Sequence, residues 1–296
     1  MREQIDKPII FIGTGRSGTT LISEIIMRHP ALAYPSNYND KFYKYPIIGI
    51  IRFLFINNFY KIYGQKKQLN EVNPISRFSF KPDENYKMWS YLTGKQIDFS
   101  RNFLLNTDIP GERIDFIRNY FIKLIKWQGK KLLAFKITGP SRISFLQQIF
   151  PDARFVYLKR KPVPIISSFY KVKFWETRGK NKLHWLGAYT DGEISEIENV
   201  KKNSIYMTTI QIKKLIDMHQ YEVGNCKPNI IEVSYEDFVK NPEKSIHTIL
   251  DFANLKKDSE LCFKYLNTLK IYNCNKKDEE YFTEQELKTI YGVLKL

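Results

Sequence analysis

The sequence predicts an α/β fold: a central parallel sheet with helices on both faces. Three short, unbroken apolar runs carry this expectation. Pro8–Ile12, Leu132–Ile137 and Ala153–Leu158 have the pattern of strands buried on both sides, as in a parallel sheet. Each is followed by a segment with apolar residues at helical spacing. With 43% apolar residues the chain can bury a large core, and no repeat, low-complexity tract or linker divides it. One domain over residues 1–296 is expected.

After Pro8–Ile12 comes a turn at Gly13–Gly18, then a helix from Thr19 with Leu21, Ile22, Ile25 and Ile26 on one face, ended by His29-Pro30. Residues 31 to about 110 read as irregular. A helix is expected over Arg113–Gln128, with Ile114, Ile117, Phe121 and Ile125 on one face. Further helices are expected over Ser141–Phe150, Val163–Lys173 and Ser204–Glu222, and a fourth strand over Asn229–Ser234. Asn241-Pro242-Glu243 opens a helix, with Asn as cap and Pro in the first turn. Thr283 and Glu286 form a capping box at the start of the last helix.

The net charge of +16 favours anionic partners. No helix-turn-helix, zinc-finger or RNA-binding signature localises nucleic acid, so no nucleic-acid partner is expected. The polar start Met1–Lys7 reads as leading straight into a strand, without a signal peptide. Cys226, Cys262 and Cys274 lack metal-ligand spacing and read as structural thiols of a reducing compartment, so a cytoplasmic protein is expected. The greasiest stretch, Ile47–Phe59, is interrupted by Gly49, Arg52, Asn57 and Asn58, and is too short to span a bilayer. The longer segment Ile47–Tyr63 has the make-up of an interfacial helix, so peripheral membrane contact is one possible role.

Gly13-Thr14-Gly15-Arg16-Ser17-Gly18-Thr19-Thr20 lies between a strand and a helix. Glycines let such a turn aim successive N–H groups at an anion, and the helix N-terminus adds orphan donors. The Gly-x4-Gly spacing is that of a nucleoside-triphosphate loop, but Thr19 stands where that loop has lysine. Lys159 and Arg160, rather than an acidic metal ligand, close the third strand. A metal-dependent kinase is therefore disfavoured, and no metal is expected. A second anion grip is suggested at Arg160 and Ser168, eight residues apart on either side of a strand end and helix start.

Together these pieces resemble the sulfotransferase superfamily, its bacterial and Golgi-type branches more than the cytosolic small-molecule branch. Phe11–Leu21 resembles the family's 5′-phosphosulfate loop, Arg160 with Ser168 its 3′-phosphate pair, and Val233–Phe238 with Asn241-Pro242-Glu243 its late strand and helix. The resemblance implies a P-loop-like sulfotransferase fold and 3′-phosphoadenosine 5′-phosphosulfate as co-substrate. It implies donor binding by Gly15, Arg16, Ser17, Gly18, Thr19, Thr20, Arg160 and Ser168, with Arg16 stabilising the leaving phosphate. Lys136 is a candidate second cation at the transferred group.

Family members supply a glutamate shortly after the first helix or a histidine past the second strand as base. Here the first region reads Tyr34–Asp40, with Asn37, and the second Lys136-Ile137-Thr138. Asp40 is the nearest carboxylate and the expected base, with His184 a more distant candidate. Aromatics such as Trp89 and Trp127, with many Asn, are expected to wall an acceptor cleft suited to a carbohydrate or glycolipid. The alternatives are a P-loop kinase and a non-catalytic basic module that binds nucleotide or nucleic acid.

Overall fold

A computed structural model describes residues 4–57, 59 and 80–295 of the chain. In chain order the first elements are β1 (Ile9–Gly13), α1 (Thr19–Ile26), β2 (Leu32–Ala33), α2 (Asn37–Lys41), a 3₁₀ helix (Pro46–Ile51), α3 (Arg52–Phe55), α4 (Tyr86–Thr93) and α5 (Gly111–Trp127). β3 (Leu132–Thr138), α6 (Ile143–Ile149), β4 (Arg154–Lys159), α7 (Pro162–Tyr170), α8 (Lys173–Arg178), α9 (Asp191–Val200), α10 (Ser204–Cys226) and β5 (Asn229–Ser234) follow. The chain continues through α11 (Tyr235–Lys240), α12 (Pro242–Phe252), α13 (Glu260–Leu266), α14 (Asn275–Glu279) and α15 (Glu284–Leu294).

The strands form one five-stranded sheet in the order β2-β3-β1-β4-β5, with every neighbouring pair parallel. After β1 the chain moves to one edge, returns through β3, and crosses β1 to build the other side. The reversal therefore falls at β1, and in open α/β sheets the crevice beyond such a strand's carboxyl end is where ligands bind. Register makes that edge even: Gly13 lies opposite Thr138 on one side and Leu158 on the other.

Strand alternation splits the core in two. Ile10 and Ile12 of β1, with Phe135 and Phe155, pack under α4, α5 and α6. Ile9 and Phe11, with Ala134 and Val156, pack under α1, α12 and α13. A third cluster joins α7, α10 and α15. Continuous apolar strands are thus explained, because both faces are covered.

The stretch from residue 31 to 110 departs from the expectation of irregular chain. β2 has only two residues, paired with Leu132 and Leu133, too few for any alternation to be read. α4 buries Met88, Trp89 and Leu92. Trp89 is therefore not a cleft wall: it is 1% exposed, stacked on Phe99 with centroids 4.5 Å apart. Of the expected interfacial segment Ile47–Tyr63, residues 58 and 60–63 lie outside the described residues.

The helix expected over Val163–Lys173 closes at Tyr170; Val172 is extended and α8 starts anew. α6 begins at Ile143 because Arg142 is left-handed, with φ 54°. Both caps were legible. Asn241 accepts from the Lys244 N–H at 3.1 Å, and Thr283 and Glu286 cap reciprocally. The cysteines are free thiols.

Candidate active site

The turn from β1 to α1 is built by left-handed backbone: φ is 80° at Gly15, 60° at Arg16 and 82° at Gly18. Glycine adopts this freely, whereas Arg16 pays about 1–2 kcal/mol for it. At Gly13 a Cβ would lie 2.9 Å from the Leu158 carbonyl oxygen and from Thr19 Oγ1, so nothing larger fits. Two hydroxyls staple the turn. Thr14 and Ser17 are hydrogen-bonded to each other at 2.8 Å, and each also donates to, or lies in reach of, the Gly15 carbonyl.

Ser17 is fully buried, and its hydroxyl is engaged within the turn by Thr14 and the Gly15 carbonyl, which leaves its backbone N–H. Gly18, the N-cap of α1, offers no side chain to the first turn. Among the described residues, the N–H groups of Ser17, Gly18, Thr19 and Thr20 make no hydrogen bond within the protein. Four orphan donors thus gather at the positive end of a helix, and a turn of this kind aims them into one concavity. Thr19 Oγ1 is buried there without a protein partner.

Beside the turn stands a cluster of cations. Arg16 Nε donates to Ser168 Oγ at 2.9 Å. Arg160 does not touch Ser168 directly. It lies behind Arg16, donating from Nη1 to the Arg16 carbonyl at 2.9 Å, from Nε to Asn275 Oδ1 at 2.9 Å and from Nη2 to Asp278 Oδ2 at 2.6 Å. Its guanidinium also lies over the Tyr235 ring, against which Gly18 packs. Lys171, the cap residue just past α7, donates to Asp278 Oδ1 at 3.0 Å.

Three cations therefore surround one carboxylate. Burial of the Arg16 guanidinium and the like charge of Arg160 lower its pKa, with Asp278 opposing. Positive charge in excess of one carboxylate, beside orphan N–H groups, is an arrangement that can hold an anion.

On the other side of the turn, Lys136 belongs to the face of β3 that α1 covers. It is fully buried, and its Nζ donates to Thr20 Oγ1 at 2.9 Å. The same Nζ lies 3.7 Å from Glu84 Oε1, whose side chain is 19% exposed. The loop that carries Glu84 is tied to the segment before α2: Asn37 N–H donates to the Lys81 carbonyl and Asp83 N–H to the Pro35 carbonyl, around an isolated Ser36–Pro82 bridge. The next residue but one, Tyr86, donates its hydroxyl to the Thr138 carbonyl at 2.8 Å, and burial raises its pKa beyond the ordinary tyrosine value.

Asp40 is elsewhere engaged. Its Oδ1 accepts the Lys87 N–H at 2.9 Å, in the first turn of α4. His184 packs against Trp175 and Trp185, and burial with the Arg101 charge brings its pKa down to about 4.

Of the residues expected at the site, Gly15 to Thr20, Lys136, Arg160 and Ser168 converge at one sheet edge. Glu84, Asn275 and Asp278 join them without having been singled out. Glu84 follows a Lys-Pro-Asp stretch that reads as loop, and α14 is a polar, lysine-rich tract that reads as surface. Only long-range contacts identify either.

Comparison with known proteins gives the family. A model described as the sulfotransferase family matches residues 138–259, a span that holds Arg160, Ser168 and β5. No curated protein matches the chain in sequence. Among solved structures, the chain is similar to a sulfotransferase from Mycobacterium avium, with TM-score 0.58 and 15% identity over 97% of this chain and 76% of that one. It is also similar to a sulfotransferase from Mycobacterium tuberculosis H37Rv, with TM-score 0.52 and 13% identity over 97% of this chain and 77% of that one. The structural likeness establishes the fold, and the sequence match carries the family. The family match over residues 138–259, on a fold shared with solved sulfotransferases, supports membership of the sulfotransferase superfamily and an enzyme of sulfuryl transfer.

Proposed function

We propose that the chain takes a sulfuryl group from 3′-phosphoadenosine 5′-phosphosulfate and passes it to a hydroxyl or amine of a carbohydrate or glycolipid. The observation that carries this is the pairing of two anion grips on one sheet edge. One is the row of orphan N–H groups at Ser17–Thr20; the other is Arg16 with Ser168, backed by Arg160 and Lys171. A nucleotide with phosphates at both its 5′ and 3′ positions suits two such grips. The buried, unpartnered Thr19 hydroxyl and the excess of cations over Asp278 fit an anionic ligand.

When bound, the donor supplies the activated sulfur, with adenosine 3′,5′-bisphosphate as the leaving group. The protein's part is positioning and charge stabilisation. Lys136 and Arg16 would offset negative charge developing on the leaving phosphate. Lys136 is desolvated, so its charge acts with little screening. Thr20 orients the ammonium.

For the acceptor proton we assign Glu84. The loop that carries it runs beside Pro35–Asn37, the stretch in which the resemblance places a glutamate and this chain has Asn37. Asp40, committed at one oxygen to the Lys87 N–H, is less well placed to move. Glu84 keeps partial access to solvent and lies beside Lys136, as a base for an incoming hydroxyl should.

The test is calorimetric titration with adenosine 3′,5′-bisphosphate and with adenosine 5′-monophosphate. The wild type should prefer the bisphosphate by about ten-fold or more, the worth of one charge-assisted contact. Ser168→Ala and Arg160→Ala should bring the two affinities together. Equal affinity in the wild type, or a preference unchanged by both substitutions, would refute the 3′-phosphate assignment.

A further inference from the structure

The run Tyr45–Ile56 carries one charge, Arg52, and the fold turns that charge inward. Arg52 is 2% exposed; its Nη1 donates to the Leu32 carbonyl at 2.7 Å and to Gln128 Oε1 at 2.8 Å. Gly49 lies so close beneath Gln128 that a Cβ would be 3.1 Å from its Cγ. The segment is therefore held firmly from below.

Its outer face is apolar. Ile47, Ile50 and Phe53 line up at the three-residue spacing of a 3₁₀ helix, each a little under half exposed. Leu54 is 66% exposed and Tyr45 61%. This inverts the pattern of a water-facing helix, whose outer face is charged.

Apart from Asp40, which accepts the Lys87 N–H, the charges flanking the ridge are basic. No acidic residue occurs between Lys41 and Asn57, nor between Phe116 and Pro151. Lys41 and Lys44 flank the ridge on one side and are exposed. On the other side Phe53 rests against Gly129, in the turn that also bears the exposed Lys126, Trp127 and Lys131. An apolar ridge with aromatic edges and a lysine border has the make-up of a surface that lies in the headgroup region of a membrane. Among the described residues no helix is long and apolar enough to cross a membrane.

We propose that this face docks onto an anionic lipid bilayer, with Ile47, Ile50, Phe53 and Leu54 in the interface and the lysines against lipid phosphates. A second copy of the chain is a poorer occupant, because it would bring the same lysines and only the engaged Asp40 to meet them. The inference stands apart from the sulfuryl-transfer reading, since none of these residues belongs to the two anion grips. It also bears on the acceptor. The ridge follows α2 in the chain, and Asn37 at the start of α2 donates its N–H to the Lys81 carbonyl, three residues before Glu84. Docking here brings the acceptor side of the crevice close to lipid headgroups.

The experiment is flotation with vesicles of phosphatidylcholine and with vesicles of equal phosphatidylcholine and phosphatidylglycerol. The wild type should float with the anionic vesicles, about ten-fold more than with the neutral ones, and release as salt is raised. The double variant Ile50→Glu/Leu54→Glu should lose flotation while keeping its unfolding midpoint and its affinity for adenosine 3′,5′-bisphosphate, since both side chains are exposed. A wild type that stays at the bottom with anionic vesicles, or a variant that floats equally well, overturns the proposal. A wild-type dimer that the variant splits, without vesicle binding, overturns it in favour of a second copy.

Discussion

Arg160 donates to the carbonyl of Arg16, while the side chain of Arg16 donates to Ser168, so the two arginines act in series through a left-handed residue. The strain at Arg16 is held by these contacts, and strained backbone persists where its surroundings over-determine it. A different residue carries an unpaid polar group. His219 is 3% exposed, stacked on Tyr157 at 3.5 Å, and neither ring nitrogen has a partner. Burial brings its pKa down to about 4, as for His184.

A depressed histidine pKa means that the unfolded chain takes up protons that the folded chain refuses. The stability is therefore present above the ordinary value of 6.5 and is lost as pH falls from there towards about 4. Urea midpoints should fall steeply across that window. His219→Phe keeps the stacked ring and removes both unpaired nitrogens, so it should raise stability at neutral pH by about 1–2 kcal/mol and flatten the acid slope. A lower midpoint at neutral pH with an unchanged slope would mean that the nitrogens are satisfied.

Sequence reading reaches residues of this kind unevenly. Gly13–Thr20 stands out because left-handed turns need glycine and because hydroxyls and arginine cluster in eight positions. Glu84 does not, because what matters about it is the loop anchoring that sets it beside Lys136, some fifty positions later in the chain.

At the scale of elements, α14 is a latch on the cation cluster. Asp278 and Asn275 fix Arg160, while Asn275 Nδ2 also donates to Glu236 Oε1 on α11 at 2.6 Å. Asp278 has side-chain exposure of only 13%, so removing its charge leaves Arg160 and Lys171 facing each other unneutralised. Asp278→Asn should lower the stability of the free protein by about 3 kcal/mol, the usual result of breaking a buried pair. An added phosphate group restores the balance, so the same variant should gain more stabilisation from adenosine 3′,5′-bisphosphate than the wild type does. A bisphosphate effect equal in both proteins would detach α14 from the donor site. The main strands and long helices are legible because burial on two faces or one writes a period into the chain. β2 and α14 are too short to write one, and their positions come from pairing with distant segments.

For the whole molecule, a parallel sheet that reverses at β1 sets the Ser17–Thr20 N–H groups and the Arg16–Ser168 pair on one edge, with Lys136 and Glu84 on the other side of the β1 turn. The net charge of +16 serves that edge and the lysine-bordered ridge alike, by raising the local concentration of anions. The central claim is that this edge binds a doubly phosphorylated adenosine nucleotide. Thermal unfolding with adenosine 3′,5′-bisphosphate, and with ATP–magnesium as control, tests it most directly. A ligand specific for the folded state at about a hundred times its Kd adds about 2.7 kcal/mol, several degrees for a chain of this size. The account predicts that shift with the bisphosphate alone, and its loss in Arg16→Ala and Arg160→Ala. A shift with ATP–magnesium and none with the bisphosphate would contradict it and point to a kinase.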